Sequence, residues 1–339
     1  MISTELIAAD GTAFYEKNFL DVFAILVILL GLTSPSDKSW RTLMRSVHPF
    51  CFEVAEAIAK MRNFELFIEL KLVTTTIRYS IRDDLATTLI GKFSDARLIH
   101  DPTTRTRENM KSVSRVQVTP KGAALVYDFC KNIGMCKEKM PAVVHSNINT
   151  MQLFRFDRSP TTGKILHSEY FNHILIAAVM GPEPNVWHPD QKPVAARNRF
   201  VEDTIVSGNY DPKSVPKTKQ VSPLYHRYFG NPKSEAHVQY YESGTGVRLF
   251  HDRKFVLGSG SAMVEYCFSG KALVQWLCDC TTAYSKTEAK EIGQVLLDQN
   301  LIVPVTVAQS SDIFYNHPEA IYTLTELGLQ SCKWTYRRP

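Results

Sequence analysis

Residues 267–305 read CFSGKALVQWLCDCTTAYSKTEAKEIGQVLLDQNLIVPV, and their spacing decides the fold. Ala272, Leu273, Trp276, Leu277 and Cys280 recur at three- and four-residue intervals, which lays them on one face of a helix. Ser269 is placed to cap that helix, and Gly270 to allow the tight turn into it. Ser285 opens a second helix with Glu288 three residues on, the spacing at which a hydroxyl and a carboxylate cap each other's amides. Ala289, Ile292, Val295 and Leu296 then face inward, with Lys290, Glu291, Gln294 and Asp298 outward. Residues 301–305 begin a strand. After a polar turn at 309–312, Ile313-Phe314-Tyr315 and Ile321-Tyr322-Thr323-Leu324 are expected to form the two arms of a β-wing.

Helix, helix, wing is a winged-helix arrangement, and the first third of the chain repeats its landmarks in the same order. Cys51-Phe52 matches Cys267-Phe268, and Ala57-Ile58 falls on Leu273-Val274. Ala86, Asp95 and Leu98-Ile99 match Ala289, Asp298 and Leu301-Ile302; Val118-Thr119 with Gly122 matches Leu324-Thr325 with Gly328. The spacing between copies changes only between these blocks, where loops belong. The first copy is therefore read as helices at 19–30, 54–61 and 83–96, strands at 49–52 and 115–119, and a last helix at 123–132 carrying Leu125, Val126 and Phe129. Its two central helices are joined by a longer connection, 62–77, and a charged loop runs from 103 to 111.

Between the copies the composition shifts. Ten of the chain's seventeen prolines lie in 141–236, so this stretch is expected to be a long Pro-rich linker. It holds a hairpin around Ser159-Pro160-Thr161-Thr162-Gly163, an apolar helix at 170–180, and a flexible run from 197 to 232. Ser159-Pro160 and Ser222-Pro223 have the minimal form of a proline-directed phosphorylation site.

Composition excludes several classes. Hydrophobic content of 44% suits packed cores rather than disorder. Seven cysteines, an odd number in apolar surroundings and without a Cys-x-x-Cys pair, read as reduced thiols rather than a zinc site. The apolar run at 19–32 is about 21 Å of helix, short of the roughly 30 Å bilayer core. Glu5, Asp10 and Glu16 precede it, which is wrong for a signal peptide, so it reads as a core helix. The chain holds no nucleophile elbow, phosphate-cradling glycine loop or His-Glu-x-x-His. His167, His173 and His188 have no partner at a telling spacing, and Asp83-Asp84 most simply complements a helix N-terminus. No enzyme activity and no cofactor are expected. A winged helix raises nucleic-acid binding as the alternative. Yet 287–300 carries Lys290 against Glu288, Glu291 and Asp298, and 83–97 carries Lys92 and Arg97 against Asp83, Asp84 and Asp95. Neither helix suits a phosphate lattice, and no DNA is expected.

Basic residues instead gather upstream of the second copy. Arg248, His251, Arg253 and Lys254 interleave with Leu249, Phe250 and Phe255, a candidate patch for an acidic peptide or anionic lipid. Here the chain resembles a known family. Phe268-Ser269-Gly270, Ala272 to Leu277 with Trp276, Thr287-Glu288-Ala289, Leu301 to Val305 and Tyr322-Thr323-Leu324 look like a DEP domain, and the GTGVRLFHDRKF segment at 244–255 is similar to the basic segment before that family's hairpin arm. A degenerate first copy with Phe19-Leu20-Asp21-Val22-Phe23, Glu56-Ala57-Ile58 and Thr103-Thr104-Arg105-Thr106-Arg107 is similar to the N-terminal half of fungal regulators of G-protein signalling. The expected fold class is thus α+β: a tail at 1–14, a degenerate DEP-like winged helix at 15–140, the linker at 141–236, a DEP domain at 237–333 and a tail at 334–339.

The resemblance implies a targeting module in negative regulation, or desensitisation. Its partner would be the cytoplasmic tail of a G-protein-coupled receptor, with anionic lipid as a further ligand, and its place cytoplasmic and peripheral to the plasma membrane. The chain ends shortly after Cys332, and the family's helical GTPase-activating domain is expected to be absent from these residues. Gα is implied as a partner only where that domain follows.

Overall fold

A computed structural model describes residues 13–33, 48–69, 74–102, 114–146, 148–159, 161–186, 246–250, 254–257, 260–305, 312–332 and 334. The chain divides into two compact units, the first built mainly from residues before 152 and the second from 152–157, 165–195 and 229–339.

In the first unit, helix α1 (Ala13–Leu30) packs on α2 (Val54–Met61) and α4 (Pro120–Asn132). Strand β1 (Cys51–Glu53) leads straight into α2; β4 (Ile99–His100) and β5 (Arg115–Val118) complete a three-stranded antiparallel sheet with β5 in the middle. Helix α3 (Asp83–Asp95) packs on α2. The long connection between α2 and α3 is a β-hairpin, β2 (Phe64–Glu69) and β3 (Thr74–Tyr79), and β2 also packs on α1. Phe23, Leu26, Leu89 and Phe93 are all buried, and Phe93 meets the rings of Phe19 and Phe23 at 5.1 Å. The last helix starts three residues earlier than its apolar stripe implies. Pro120 needs no amide partner at the first position, and the Thr119 hydroxyl accepts from the Gly122 N–H.

The second unit repeats this plan. Strand β8 (Phe268–Ser269) runs into α6 (Gly270–Cys280), followed by α7 (Lys286–Asp298), β9 (Ile302–Pro304), β10 (Ile321–Leu324) and α8 (Glu326–Ser331). Its sheet again puts the last strand in the middle, in the order β8-β10-β9. Trp276 and Leu277 are buried on α6. The Ser269 hydroxyl caps it at Ala272 N–H, 3.1 Å. Ser285 caps α7 at Glu288 N–H, 3.2 Å, while the Glu288 carboxylate reaches back one residue further than the box requires, to Tyr284 N–H at 2.7 Å.

The duplication extends to unusual backbone. Four non-glycine residues have left-handed φ among the described residues, and they fall in pairs at matching positions: Phe50 (54°) with Tyr266 (57°), and Arg97 (59°) with Asn300 (54°). Thr119 and Thr325 each cap the last helix and donate to the carbonyl of the paired left-handed residue, Arg97 O at 2.6 Å and Asn300 O at 2.6 Å. A Cβ on Gly122 would collide with the Leu98 carbonyl oxygen, and one on Gly328 with that of Leu301. Each glycine is required by the same close approach of helix to chain.

Two expectations are corrected. Ile313–Tyr315 is not a wing arm, because its amides are taken by side chains rather than by a strand. Gln294 Oε1 accepts from Phe314 N–H and the Tyr322 hydroxyl from Tyr315 N–H, each at 2.8 Å, while the Phe314 ring is buried beside Gly293 and 4.9 Å from that of Tyr322. The wing pairs β9 with β10 instead. The second correction concerns the linker. Its apolar helix, α5 (Glu169–Met180), packs on α6 and α8, as α1 packs on α2 and α4. It is the first helix of the second winged helix. Asn172 Nδ2 donates to Gln299 Oε1 at 2.9 Å, His173 Nδ1 meets Ser331 Oγ at 2.6 Å, and Trp334 Nε1 donates to Gly181 O at 3.0 Å. Residues 152–156 join the same unit: Phe154 N–H bonds Cys280 O and Thr282 N–H bonds Phe154 O, at 2.9 and 3.0 Å. The proposed flexible run at 197–232, and with it Ser222, lies outside the described residues.

Candidate functional site

The basic arm begins where residues 246–250 thread between α5 and the sheet. Gly246 lies so close to the Met180 carbonyl that no side chain fits. Asn185 Nδ2 holds Gly246 O at 2.8 Å, Val247 N–H bonds Val179 O at 2.6 Å, and Leu249 N–H bonds Asn185 O at 2.9 Å. Phe250 then pairs antiparallel with Cys267, its N–H 2.7 Å from Cys267 O. An extended segment alternates its faces. Val247 and Leu249 point inward and are buried, whereas Arg248 and Phe250 share the other face and are half-buried. The Arg248 guanidinium lies 5.5 Å from the Phe250 ring centroid, within cation–π range. Phe250 and Val264 in turn cover Cys267, Val305 and Ile321.

Beyond it, β6 (Lys254–Leu257) and β7 (Gly260–Met263) form a hairpin in register from Lys254↔Met263 to Leu257↔Gly260. Of the four basic residues picked out in the sequence, Arg248 is thus placed at the base of the arm, with its charge over a ring. Lys254 is the first residue of the hairpin. His251 and Arg253 fall outside the described residues, as do Arg105 and Arg107.

The remaining polar residues account for themselves structurally. Burial pushes the Cys51 thiol up to about 11 and the Cys130 and Cys332 thiols up to about 12, which keeps them protonated and poor nucleophiles near neutral pH. None of the seven cysteines is in a disulfide. Among the described residues no group of His, Cys, Asp and Glu is arranged to hold a metal ion. Nor is any described helix long and apolar enough to cross a membrane. His100 Nε2 contacts Gln117 Oε1 at 3.0 Å, and Gln117 Nε2 donates to Pro49 O at 2.8 Å, a link across the first sheet. Asp83 forms a two-pronged pair with Arg62, at 2.6 and 2.5 Å, which holds its carboxyl below the usual range. Ser159 stands at the turn its sequence predicts: its N–H bonds Lys164 O at 2.8 Å, and its hydroxyl accepts from Thr162 N–H at 3.2 Å.

Periodicity missed one surface. On α5, Tyr170 and Ile174 stand four residues apart and are exposed, as is Leu327 on α8. The signal available was that 170–180 is apolar on more faces than one packing contact can cover.

Comparison with known proteins agrees with this architecture. Residues 18–146 match the Fungal-differentiation regulator winged helix domain, and residues 250–324 match the DEP domain, the domain found in Dishevelled, Egl-10 and Pleckstrin. The chain is similar to the developmental regulator flbA of Emericella nidulans, 24% identical over 343 residues. That alignment covers 95% of this chain and 41% of the relative, so the chain spans about two-fifths of the relative's length. No solved structure matches it. The DEP match begins at Phe250, after α5, so the geometry alone attaches that helix to the domain.

Proposed function

We propose that this chain is a non-catalytic targeting module in G-protein signalling, which docks on the cytoplasmic tail of a membrane receptor and on the anionic membrane surface beside it, as part of negative regulation. The observation that supports this reading best is the basic segment running into the DEP hairpin. Arg248 is fastened over Phe250 at the base, and His251, Arg253 and Lys254 follow toward β6. A receptor tail and an inner leaflet both present acidic or phosphate groups, and each basic residue near such a surface contributes on the order of 1 kcal/mol. The outward charges of α3 and α7 are mixed or acidic, with Asp83, Asp84, Glu291 and Asp298 exposed, which disfavours the nucleic-acid alternative. The described residues carry no catalyst in this reading.

The test reverses His251, Arg253 and Lys254 to Glu and leaves Arg248 in place, because its ring contact gives Arg248 a packing role as well as a charge. Recruitment to vesicles containing phosphatidylserine, and to a receptor-tail peptide, should fall steeply and lose its salt dependence, with an unchanged Tm. Undiminished recruitment to both would remove the arm as the docking site.

A further inference from the structure

The two units are duplicates, and where they differ one is sealed and the other open. Helices α1 and α5 both end at a left-handed glycine, Gly31 and Gly181, whose N–H bonds the carbonyl three residues back. Superimposing these ends puts Ile174 on Ala24. Ala24 is wholly buried, within a run from Phe23 to Val27 that is buried on every face, and β2 is among the elements packed on that helix. Ile174 is 43% exposed, and Tyr170, one turn earlier, is 77% exposed. The matching glycines Gly122 and Gly328 likewise put Leu327 on Lys121. There the first unit buries even a lysine, to 1% exposure, whereas Leu327 is 39% exposed.

These open positions adjoin. His173 meets Ser331 and Gly181 meets Trp334, so α5 and α8 run in the same direction. Leu327, one turn before Ser331, therefore lies beside the first turn of α5, which carries Tyr170. Exposed carboxylates, Glu169 and Glu326, begin both helices at that end. The short link from α6 to α7, residues 281–285, holds no hairpin, unlike the 62–82 connection that supplies β2 in the first unit.

We propose that the α5–α8 face bearing Tyr170, Ile174 and Leu327 is a docking surface for an extended, aromatic and aliphatic segment of a partner protein with Lys or Arg beside its apolar residues. Such a segment would lie on α5 as β2, sequence FELFIE, lies on α1. The acidic rim sets the sign of its flanking charge. This surface does not depend on the basic arm. Isolated exposed apolar residues are ordinary on a protein surface; here three share one seam, and the sister unit buries the counterparts of two of them, Ala24 and Lys121, and half-buries that of Tyr170, Leu20.

The test measures the anisotropy of a labelled peptide with β2's pattern and its glutamates exchanged for lysine, Phe-Lys-Leu-Phe-Ile-Lys, titrated with the full chain. A peptide of the same composition with the alternation scrambled is the control. We expect saturable binding that weakens at least about tenfold in Tyr170→Ser/Ile174→Ser/Leu327→Ser and in Tyr170→Lys alone, with Tm retained. Absent or equal binding by wild type and variants, or equal binding of the scrambled peptide, overturns the proposal. Concentration-dependent self-association of the wild type that the variants lose would assign the face to a second copy. Wild-type adsorption to neutral phosphatidylcholine vesicles that the variants lose would assign it to lipid. Either result also overturns the proposal.

Discussion

Two isoleucines on α5, two residues apart, separate a packed helix from a helix in a linker. Ile176 is wholly buried where α5 lies on α6 and α8, whereas Ile174 is 43% exposed. Replacing either by Ala changes helix propensity by the same few tenths of a kcal/mol, so that contribution cancels in the comparison. At position 176 the change removes three buried carbons, about 2.4 kcal/mol at roughly 0.8 per methylene, and leaves a partly collapsed cavity that adds about 1 kcal/mol. The expected loss is about 3 kcal/mol for Ile176→Ala against less than about 1 for Ile174→Ala. Hydrogen exchange read by mass spectrometry over α6 and α7 reports it, because their slowest amides exchange through opening of this unit. A 2–3 kcal/mol gap between variants is a gap of roughly thirty- to a hundred-and-sixty-fold in exchange rate. If the two variants exchange within about threefold of each other, α5 does not belong to the second winged helix, and the reasoning from the duplicated plan fails.

Gly122→Ala should destabilise the first unit by about 1–3 kcal/mol, because its Cβ meets the Leu98 carbonyl, while Gly91→Ala on the open side of α3 should stabilise it by about 0.5–1, both read from denaturant midpoints. Iodoacetamide at pH 8 should modify the exposed Cys136 and spare Cys130 and Cys332 until denaturant is added, which peptide mass mapping detects. Above about pH 9 the unfolded thiols ionise while those two stay protonated, so both weaken the fold on the alkaline side. The Asp83 carboxyl should titrate below the ordinary aspartate range by NMR and return to it in Arg62→Ala. Its contribution to stability is present at neutral pH and is lost as the pH falls through the lowered value.

Local chemistry was legible in the sequence. Ser269 and Ser285 announce helix starts because a cap needs only a hydroxyl and amides two or three residues away. The duplicated landmarks Leu98, Thr119 and Gly122, with Leu301, Thr325 and Gly328, survive because each marks a position where the same backbone contact recurs. The basic character of 248–254 could likewise be read by inspection. What the tertiary structure alone decided involves partners distant in the chain. Helix α5 is separated from β8 by residues 181–267, and no periodicity within 169–180 says which helices it packs against. Ile313–Tyr315 has the composition of a strand, but its amides are claimed by Gln294 and Tyr322, from a helix and a strand on either side. Arg248 looked like one charge among four until Phe250 proved to lie under it. Capping and periodicity are set within a turn or two of chain, whereas burial depends on what arrives from elsewhere, and only the folded chain brings those surfaces together.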